Sequence, residues 1–239
     1  MNIGDMGVPF IYQGEELIYP EYVKDGLVLH YDFSGMTNND ASKDIARDLS
    51  GNGNHGTLQN FNFTPESGYD KNKLLFDGVD DRIRVNNPLS ILSTKFTWTA
   101  TITPIIDESG SVKVFMSGNS QYAYFRIILG RLSASLQGAD RPINHTLTQY
   151  RLESGVTYHT CLVHDNGSYY IYANGEKVGE SHDSLKGAEY SLNKLGEYTN
   201  AVPESFNGDF HSAMVYNRPL TAEEIAHNYA IEKERFGIE

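Results

Sequence analysis

Short runs in which apolar and polar residues alternate at period two dominate this chain of 239 residues. The clearest is KFTWTATIT, residues 95–103, where Phe96, Trp98, Ala100 and Ile102 alternate with four threonines. Successive side chains of a strand point to opposite faces, so this spacing predicts one buried face and one half-wet threonine face. Residues 156–180 predict a meander of three strands, VTYHTCLVH, SYYIYA and EKVGE, joined by DNG and by Asn174-Gly175. Asparagine and glycine tolerate the positive φ that tight hairpins demand. Tyr170 and Tyr172 then share one face, with Tyr169 and Ile171 on the other. QYAYFRIIL (121–129) and KLLFDG (73–78) read as further strands. Many short strands between Gly, Asn, Asp and Pro turns point to a sandwich or barrel.

A helical pattern enters only at the end. In RPLTAEEIAHNYAIEKERFG, Thr221 and Glu224 have the spacing of a capping box, Ile225 and Tyr229 fall four apart, and Gly237 is placed to terminate. The expectation is a helix over 221–236 covering one end of the sandwich. At the other terminus, GVPFIYQGEELIYPEYV has two apolar-aromatic runs around Gly14, the pattern of a β hairpin. Residues 1–22 therefore read as a separable arm, which docks a partner or packs back on the domain formed by 23–239.

Composition narrows the function. The net charge is −12, from 31 acidic and 19 basic residues without a lysine or arginine block. That balance repels a nucleic-acid backbone unless a basic patch is segregated on one face, so nucleic acid is not an expected partner. The N-terminal stretch lacks the basic start and apolar run of a signal peptide, and no 18-residue apolar run predicts membrane insertion. The single cysteine, Cys161, excludes an intramolecular disulfide framework and reads as a buried thiol.

Catalytic chemistry finds little support. Glycosidases of sandwich folds need paired carboxylates, and retention sets them about 5 Å apart; no Glu-x-Asp occurs in the chain. Asp77, Asp80 and Asp81 form the tight acidic cluster, in the turn FDGVDD where aspartate caps its own backbone. There is no Gly-x-Ser-x-Gly, and His159 and His164 flank Cys161 without forming a triad. The expectation is a protein that is not an enzyme.

DLSGNGNHGTL, residues 48–58, begins like an EF-hand, with Asp48, Ser50 and Asn52 at two-residue steps and Gly53 sixth. Position 12 is Gln59 rather than a bidentate glutamate, and strands flank the loop, so the expectation is a turn capped by Asp48. For ligand contacts, Tyr122, Tyr124 and Arg126 alternate onto one strand face, and Arg141, Asn144 and His145 follow in GADRPINHT. An aromatic pair beside an arginine able to make bidentate contacts is a candidate glycan site; packed tyrosines with wet hydroxyls are the bland alternative.

Six motifs in order carry a resemblance. GLVLHYDFSG (26–35), DLSGNGNHGTL (48–58), LLFDGVDDRIRV (74–85), FTWTATITP (96–104), YIYANGEKV (170–178) and FNGDFHSAMVYNRPLTAEEI (206–225) together resemble the laminin-G-like, concanavalin A-like jelly-roll domains. YNRPLTAEEI leading into HNYAIEKERFGI is similar to versions carried by bacteriophage structural proteins. The resemblance implies an all-β, two-sheet antiparallel jelly-roll sandwich with a short C-terminal helix and an N-terminal extension. It also implies a structural calcium in many relatives, held by an aspartate of a Tyr-x-Phe-Asp-Gly pattern and a late acidic pair. Here Ser34 replaces that aspartate, and His211 and Ser212 replace the pair. Loss of hard oxygen ligands disfavours calcium, leaving Asp32, Asp48 and Asp209 as weak metal candidates. No cofactor is expected.

The leading expectation is a virion protein displaying a lectin-like domain that attaches to host-surface carbohydrate, with the arm contacting other virion proteins and a homo-oligomer possible. Weak single sites then gain from multiple copies. The alternatives are a purely structural virion protein and an accessory domain of a glycan hydrolase.

Overall fold

Strand-forming runs and their turns fall where the alternation places them. The computed structural model describes residues 11–13, 16–19, 21–91, 95–107, 112–118, 123–135, 145–182, 190–197 and 204–239. In chain order the first elements are β1 (Ile11–Gln13), β2 (Glu16–Tyr19), β3 (Leu27–Asp32), β4 (Ile45–Ala46), β5 (Gly56–Gln59) and β6 (Gly68–Asp70). They are followed by β7 (Lys73–Asp77), β8 (Arg82–Ile91), β9 (Lys95–Pro104), β10 (Lys113–Gly118), β11 (Tyr124–Ile128) and β12 (Arg131–Ser135). The last are β13 (His145–Arg151), β14 (Tyr158–Asp165), β15 (Ser168–Ala173), β16 (Glu176–His182), β17 (Tyr190–Leu195), β18 (Asn207–Tyr216) and α1 (Ala222–Phe236).

Two antiparallel sheets form the expected jelly-roll sandwich. The first has the order β13-β12-β11-β10-β17-β8-β5-β4, the second β16-β15-β14-β9-β18-β7-β6. β18 is the hinge of the second sheet. One edge pairs with β9, while the other pairs with β7 through Asn207–Phe210 and then with β3 through Ser212–Tyr216. β1 and β2 form the expected hairpin, which pairs with neither sheet among the described residues. The meander turns also form as expected: Asn166 and Gly167 have φ of 50° and 90°, and Asn174 and Gly175 have 49° and 79°. These are the left-handed values that select Asn-Gly.

The core between the sheets is aromatic. Phe96, Trp98, Phe115, Phe125, Phe206 and Phe210 are wholly enclosed there. Tyr169 and Ile171 face it, whereas Tyr170 and Tyr172 pack on the opposite side against a second cluster. That cluster explains two departures from the expectations. The threonine face of β9 is buried, not half-wet: Thr97, Thr99 and Thr101 are each at most 1 % exposed. The helix lies across this outer face of the second sheet instead of covering an end. Leu220, Ile225 and Ile231 pack there with Tyr22, Leu27, Cys161, Val163, Met214 and Tyr216. A sheet face left apolar by Val163 and Met214 needs a cover, and an amphipathic helix supplies it.

Thr221 caps α1 as the capping box required. Its hydroxyl accepts from Glu224 N at 3.3 Å, and Glu224 Oε2 accepts from Thr221 N at 2.9 Å. Gly237 ends the helix at φ 64°. Arg218 forks onto Glu224 at 2.8 and 2.6 Å. Thr221→Ala is expected to lower the unfolding free energy by about 1 kcal/mol in urea titrations.

The expected arm boundary at residue 22 falls inside the packed unit. Tyr22 is 4 % exposed, its hydroxyl donates to Glu232, and Val23 N donates to Asn228 Oδ1 at 3.1 Å. Tyr22 is therefore part of the domain.

Candidate functional site

The loop 48–58 is held by one carboxylate. Asp48 Oδ1 accepts from His30 N and Ser50 N, and Oδ2 from Ser50 Oγ and Asn54 N, all at 2.9 Å. Burial alone would push this carboxyl up, but those donors hold it below the usual carboxylate range. Asn52 and Asn54 donate through Nδ2 to the Leu27 and Val28 carbonyls, at 3.1 and 2.7 Å, which stitches the loop to β3. Gly51 and Gly53 have φ of 87° and 73°, so the loop needs glycine there. As expected, the loop is a turn with Asp48 as its cap.

The same loop aims a histidine. Asp48 N donates to His55 Nδ1 at 3.0 Å, so the neutral ring carries its proton on Nε2. His55, Leu49 and Arg47 form one wall of a cavity of about 600 Å³. Phe33, Met36, Ile45 and Ala46 supply apolar surface, and Asp32, Ser34, Ser42 and Tyr69 supply polar groups. The size lies within the range of small-ligand sites, as does the mixture of apolar wall and a few polar groups. Arg47 is exposed and makes no ion pair among the described residues. The cavity thus offers a free guanidinium and a ring N–H beside an apolar surface, a set that suits a hydroxylated ring.

The residues expected to bind glycan are distributed differently. Tyr124 and Arg126 do share one face of β11, pointing away from the core that Phe125 and Ile127 enter. Tyr124 is only 4 % exposed, however, and the Arg126 guanidinium sits 4.5 Å from its ring centroid. The ring face that was to receive a sugar is covered by the arginine beside it. His145 pairs in register with Ser135, and Ser135 with Tyr124, so its backbone lies in the same cross-strand row. Tyr122, Arg141 and Asn144 lie outside the described residues, as does the His145 side chain. Of the cavity residues, sequence reasoning singled out Asp32 and Ser34, for a metal and not for a cavity, and missed Arg47 and His55 as its donors. Its one available signal was His55 inside the glycine-rich loop.

The weak metal candidates are each committed to other partners. Asp32 is paired with Arg235 at 2.5 Å and Asp209 with Lys73 at 2.9 Å. Ser212 donates to Glu232 at 2.5 Å, and His211 Nε2 bonds Thr103 Oγ1 at 2.8 Å. With the carboxylates neutralised by cations and an imidazole in the ligand set, these residues do not fit a calcium ion. Asp77, Asp80 and Asp81 bring carboxylate oxygens within 4.8 Å of one another. Burial, then its two neighbours, pushes the Asp81 carboxyl up to about 6. Its oxygens accept from Ser67 Oγ at 3.1 Å and Asp77 N at 2.9 Å, which makes it the keystone of the FDGVDD turn. Cys161 is wholly buried, and burial pushes its thiol up, away from the reactive thiolate.

Solved structures place this architecture among known folds. A Trypanosoma rangeli sialidase in complex with sialic acid is 17 % identical with a TM-score of 0.63, covering 87 % of this chain and 33 % of that chain. The binding domain of Paraclostridial Mosquitocidal Protein 1 is 17 % identical at TM-score 0.60, covering 86 % of this chain and 52 % of that one. A heptameric SAP-like pentraxin from Limulus polyphemus is 17 % identical at TM-score 0.50, covering 67 % and 77 %. These likenesses are of fold, and the chain spans about a third of the length of the sialidase. None of the curated proteins matches the chain. Residues 77–226, more than half of the sequence, match the laminin G model described as the Concanavalin A-like lectin/glucanases superfamily, and the chain belongs to that superfamily.

Proposed function

We propose that this chain is a non-enzymatic glycan-binding module whose sugar site is the cavity beside the 48–58 loop, carried on a bacteriophage particle for attachment to a host surface. The observation that carries the reading is the donor pair of Arg47 and His55 set against Met36, Ile45 and Leu49 in one cavity. An apolar wall takes the C–H face of a sugar ring, and fixed donors select its hydroxyl or carboxylate groups. Membership of a superfamily named for lectins and glucanases directs the choice of ligand. Against a glucanase reading, two members of the tight carboxylate trio, Asp77 and Asp81, accept from backbone donors of their own turn, and Asp81 also accepts from Ser67 Oγ. The virion setting rests on the likeness of YNRPLTAEEI to phage structural proteins.

The test is a glycan array probed with the full chain and with Arg47→Ala. Wild-type protein is expected to bind a subset of glycans. Arg47→Ala is expected to weaken that binding about tenfold or more, the worth of one charge-assisted hydrogen bond, without moving Tm. An array with no binding, or an unchanged variant, sinks the cavity as the sugar site.

A second reading, structural docking within a particle, is favoured by the β1–β2 hairpin, whose strands pair only with each other among the described residues. A two-stranded hairpin is marginal alone and gains from a partner. Deletion of residues 1–20 is expected to abolish particle incorporation and leave glycan binding intact. Normal incorporation of the deleted protein would remove the docking role.

A further inference from the structure

Three of the five large apolar residues exposed among the described residues meet at one end of the sandwich. Ile105 follows β9, Leu129 sits at the tip between β11 and β12, and Val156 lies in the loop before β14; they are 45, 55 and 37 % exposed. Backbone hydrogen bonds tie the three loops together. Leu152 N donates to the Gly130 carbonyl and Gly155 N to the Pro104 carbonyl, both at 2.8 Å, and Ile106 N donates to Ser154 Oγ at 3.0 Å. Leu129 is also strained. Leu129 and Gly130 have φ of 53° and 69°, the paired left-handed values of a two-residue hairpin turn. The hairpins at 166–167 and 174–175 place Asn-Gly there, and a bulky side chain at positive φ is an outlier. An exposed leucine instead of that asparagine costs the fold twice, through backbone strain and through wetted apolar surface. Such a position points to contact with a partner.

Positive charge flanks the patch. Arg131 closes the Leu129–Gly130 turn against Ile128, and on the next strand Arg151 lies directly opposite Arg131. Neither arginine enters an ion pair among the described residues. Arg151 is exposed, and Arg131 Nε is buried without a hydrogen-bond partner. Of the acids around them, Glu153 is exposed and Asp107 pairs with Lys113 at 3.7 Å. The Asp77–Asp81 turn follows β7, two strands away from β9 in the second sheet.

We infer that this end receives the N-terminal hairpin of a second copy of the chain, an inference that rests on the hairpin's role in docking. Residues 1–21 have the complementary chemistry. They hold Asp5, Glu15, Glu16 and Glu21 with no lysine or arginine, and β1 and β2 carry Ile11, Tyr12, Leu17, Ile18 and Tyr19. The hairpin closes with Gln13 opposite Glu16, which puts an acidic residue at its tip. Two copies of net charge −12 repel each other, so an acidic segment is received best where the surface is positive. The tether favours a neighbour over the same chain. Pro20 and Glu21 alone separate β2 from Tyr22, so the base of the hairpin stays within about 11 Å of Tyr22. Tyr22 packs on the outer face of the second sheet, whereas Arg131 and Arg151 belong to the first. Because hairpin and receptor are different surfaces, the contact runs head to tail and repeats into a ring or a filament.

The test is sedimentation velocity of the full chain over a range of concentrations, beside four variants. Wild type is expected to self-associate, and deletion of residues 1–20 to leave a monomer. Leu129→Asn is expected to keep or raise Tm while weakening association about tenfold or more, an outcome that a purely structural leucine would not give. Glu15→Lys/Glu16→Lys and Arg131→Glu/Arg151→Glu are each expected to be folded monomers. An equimolar mixture of these two is expected to associate again, because each keeps the half of the contact that the other has lost. A monomeric wild type overturns the inference. So does association that survives deletion of residues 1–20, that is unchanged in both Leu129→Asn and Arg131→Glu/Arg151→Glu, or that mixing fails to restore. Particle incorporation separates the two possible failures. A monomeric wild type that still needs residues 1–20 for incorporation refutes the second copy as receptor and leaves docking to another virion protein, whereas one that incorporates without them refutes docking itself.

Discussion

Replacing Arg235 by leucine is expected to lower the unfolding free energy by about 3–5 kcal/mol, the largest effect of any single substitution outside the aromatic core. Arg235 joins the helix to β3 under cover. Its side chain is 3 % exposed, against 7 % for Asp32 and 0 % for Glu232. Nη2 bonds Asp32 at 2.5 Å, Nη1 donates to the Tyr22 hydroxyl at 2.8 Å and lies 4.0 Å from Glu232. Burial alone would push the Asp32 carboxyl up, but Arg235, then His30 and the Ser34 N–H, hold it low. Glu232 also accepts from Tyr22, Thr101 and Ser212. Two carboxyl groups therefore share one guanidinium, and leucine would leave both buried without it. Urea denaturation of Arg235→Leu measures the loss. Arg235→Lys is expected to recover only part, because an ammonium cannot reproduce the fork to Asp32 and Tyr22. A loss below about 1 kcal/mol would show that the network contributes geometry but little stability.

Acidification supplies the second large effect. His159 is wholly buried, neither ring nitrogen has a hydrogen-bond partner, and burial pushes it down to about 4. Burial lowers His30 and His211 as well. Above about pH 6.5 such a ring is neutral whether folded or unfolded and contributes nothing to the pH dependence. Between about 6.5 and 4 the unfolded chain takes up the proton and the folded chain does not, so stability falls as pH falls through this window. For His159 the full loss, reached below about pH 4, is about 3 kcal/mol. Asp81 acts in the opposite sense. Its raised value of about 6 makes the folded state the better proton acceptor on acidification. The decisive measurement is therefore the difference between wild type and His159→Phe. The variant is expected to be at least as stable at pH 7, since two unsatisfied nitrogens disappear. Its advantage is expected to grow by about 3 kcal/mol at pH 4. A difference that stays constant with pH would mean that the ring is already charged or exposed in the native state.

Local patterning made most of the architecture legible. The alternation in 95–103, the two Asn-Gly turns and the capping box at Thr221 each act over a few residues, and each reappears at its place. The half-wet face of β9 was misjudged because threonine is polar enough to suggest water, while the hydroxyls of Thr97 and Thr101 find protein partners and that of Thr99 is buried without one. Thr97 donates to the Arg218 carbonyl at 2.9 Å and Thr101 to Glu232. The stacking platform was misjudged for a related reason. Alternation does place Tyr124 and Arg126 on one face, but whether a ring is open or covered depends on its neighbours in space. Arg47 and His55 went unrecognised because nothing in the local pattern marks a cavity wall.

The sequence by itself determined the sandwich class, the strand and turn positions, the C-terminal helix with its cap, and the role of Asp48 in its loop. All of these follow from periodicity and turn chemistry that a few neighbouring residues express. Only the tertiary structure decided which distant groups meet. The chain order of β3, β9, β18 and α1 says nothing of how Tyr22, Asp32, Thr101, Ser212, Glu232 and Arg235 converge under the helix. Nor does composition place Arg84 opposite Lys194 and Arg131 opposite Arg151, since a register shift of one residue would turn each to the other face. Burial, ion pairing and charge repulsion are properties of proximity in space, and long-range strand pairing creates that proximity.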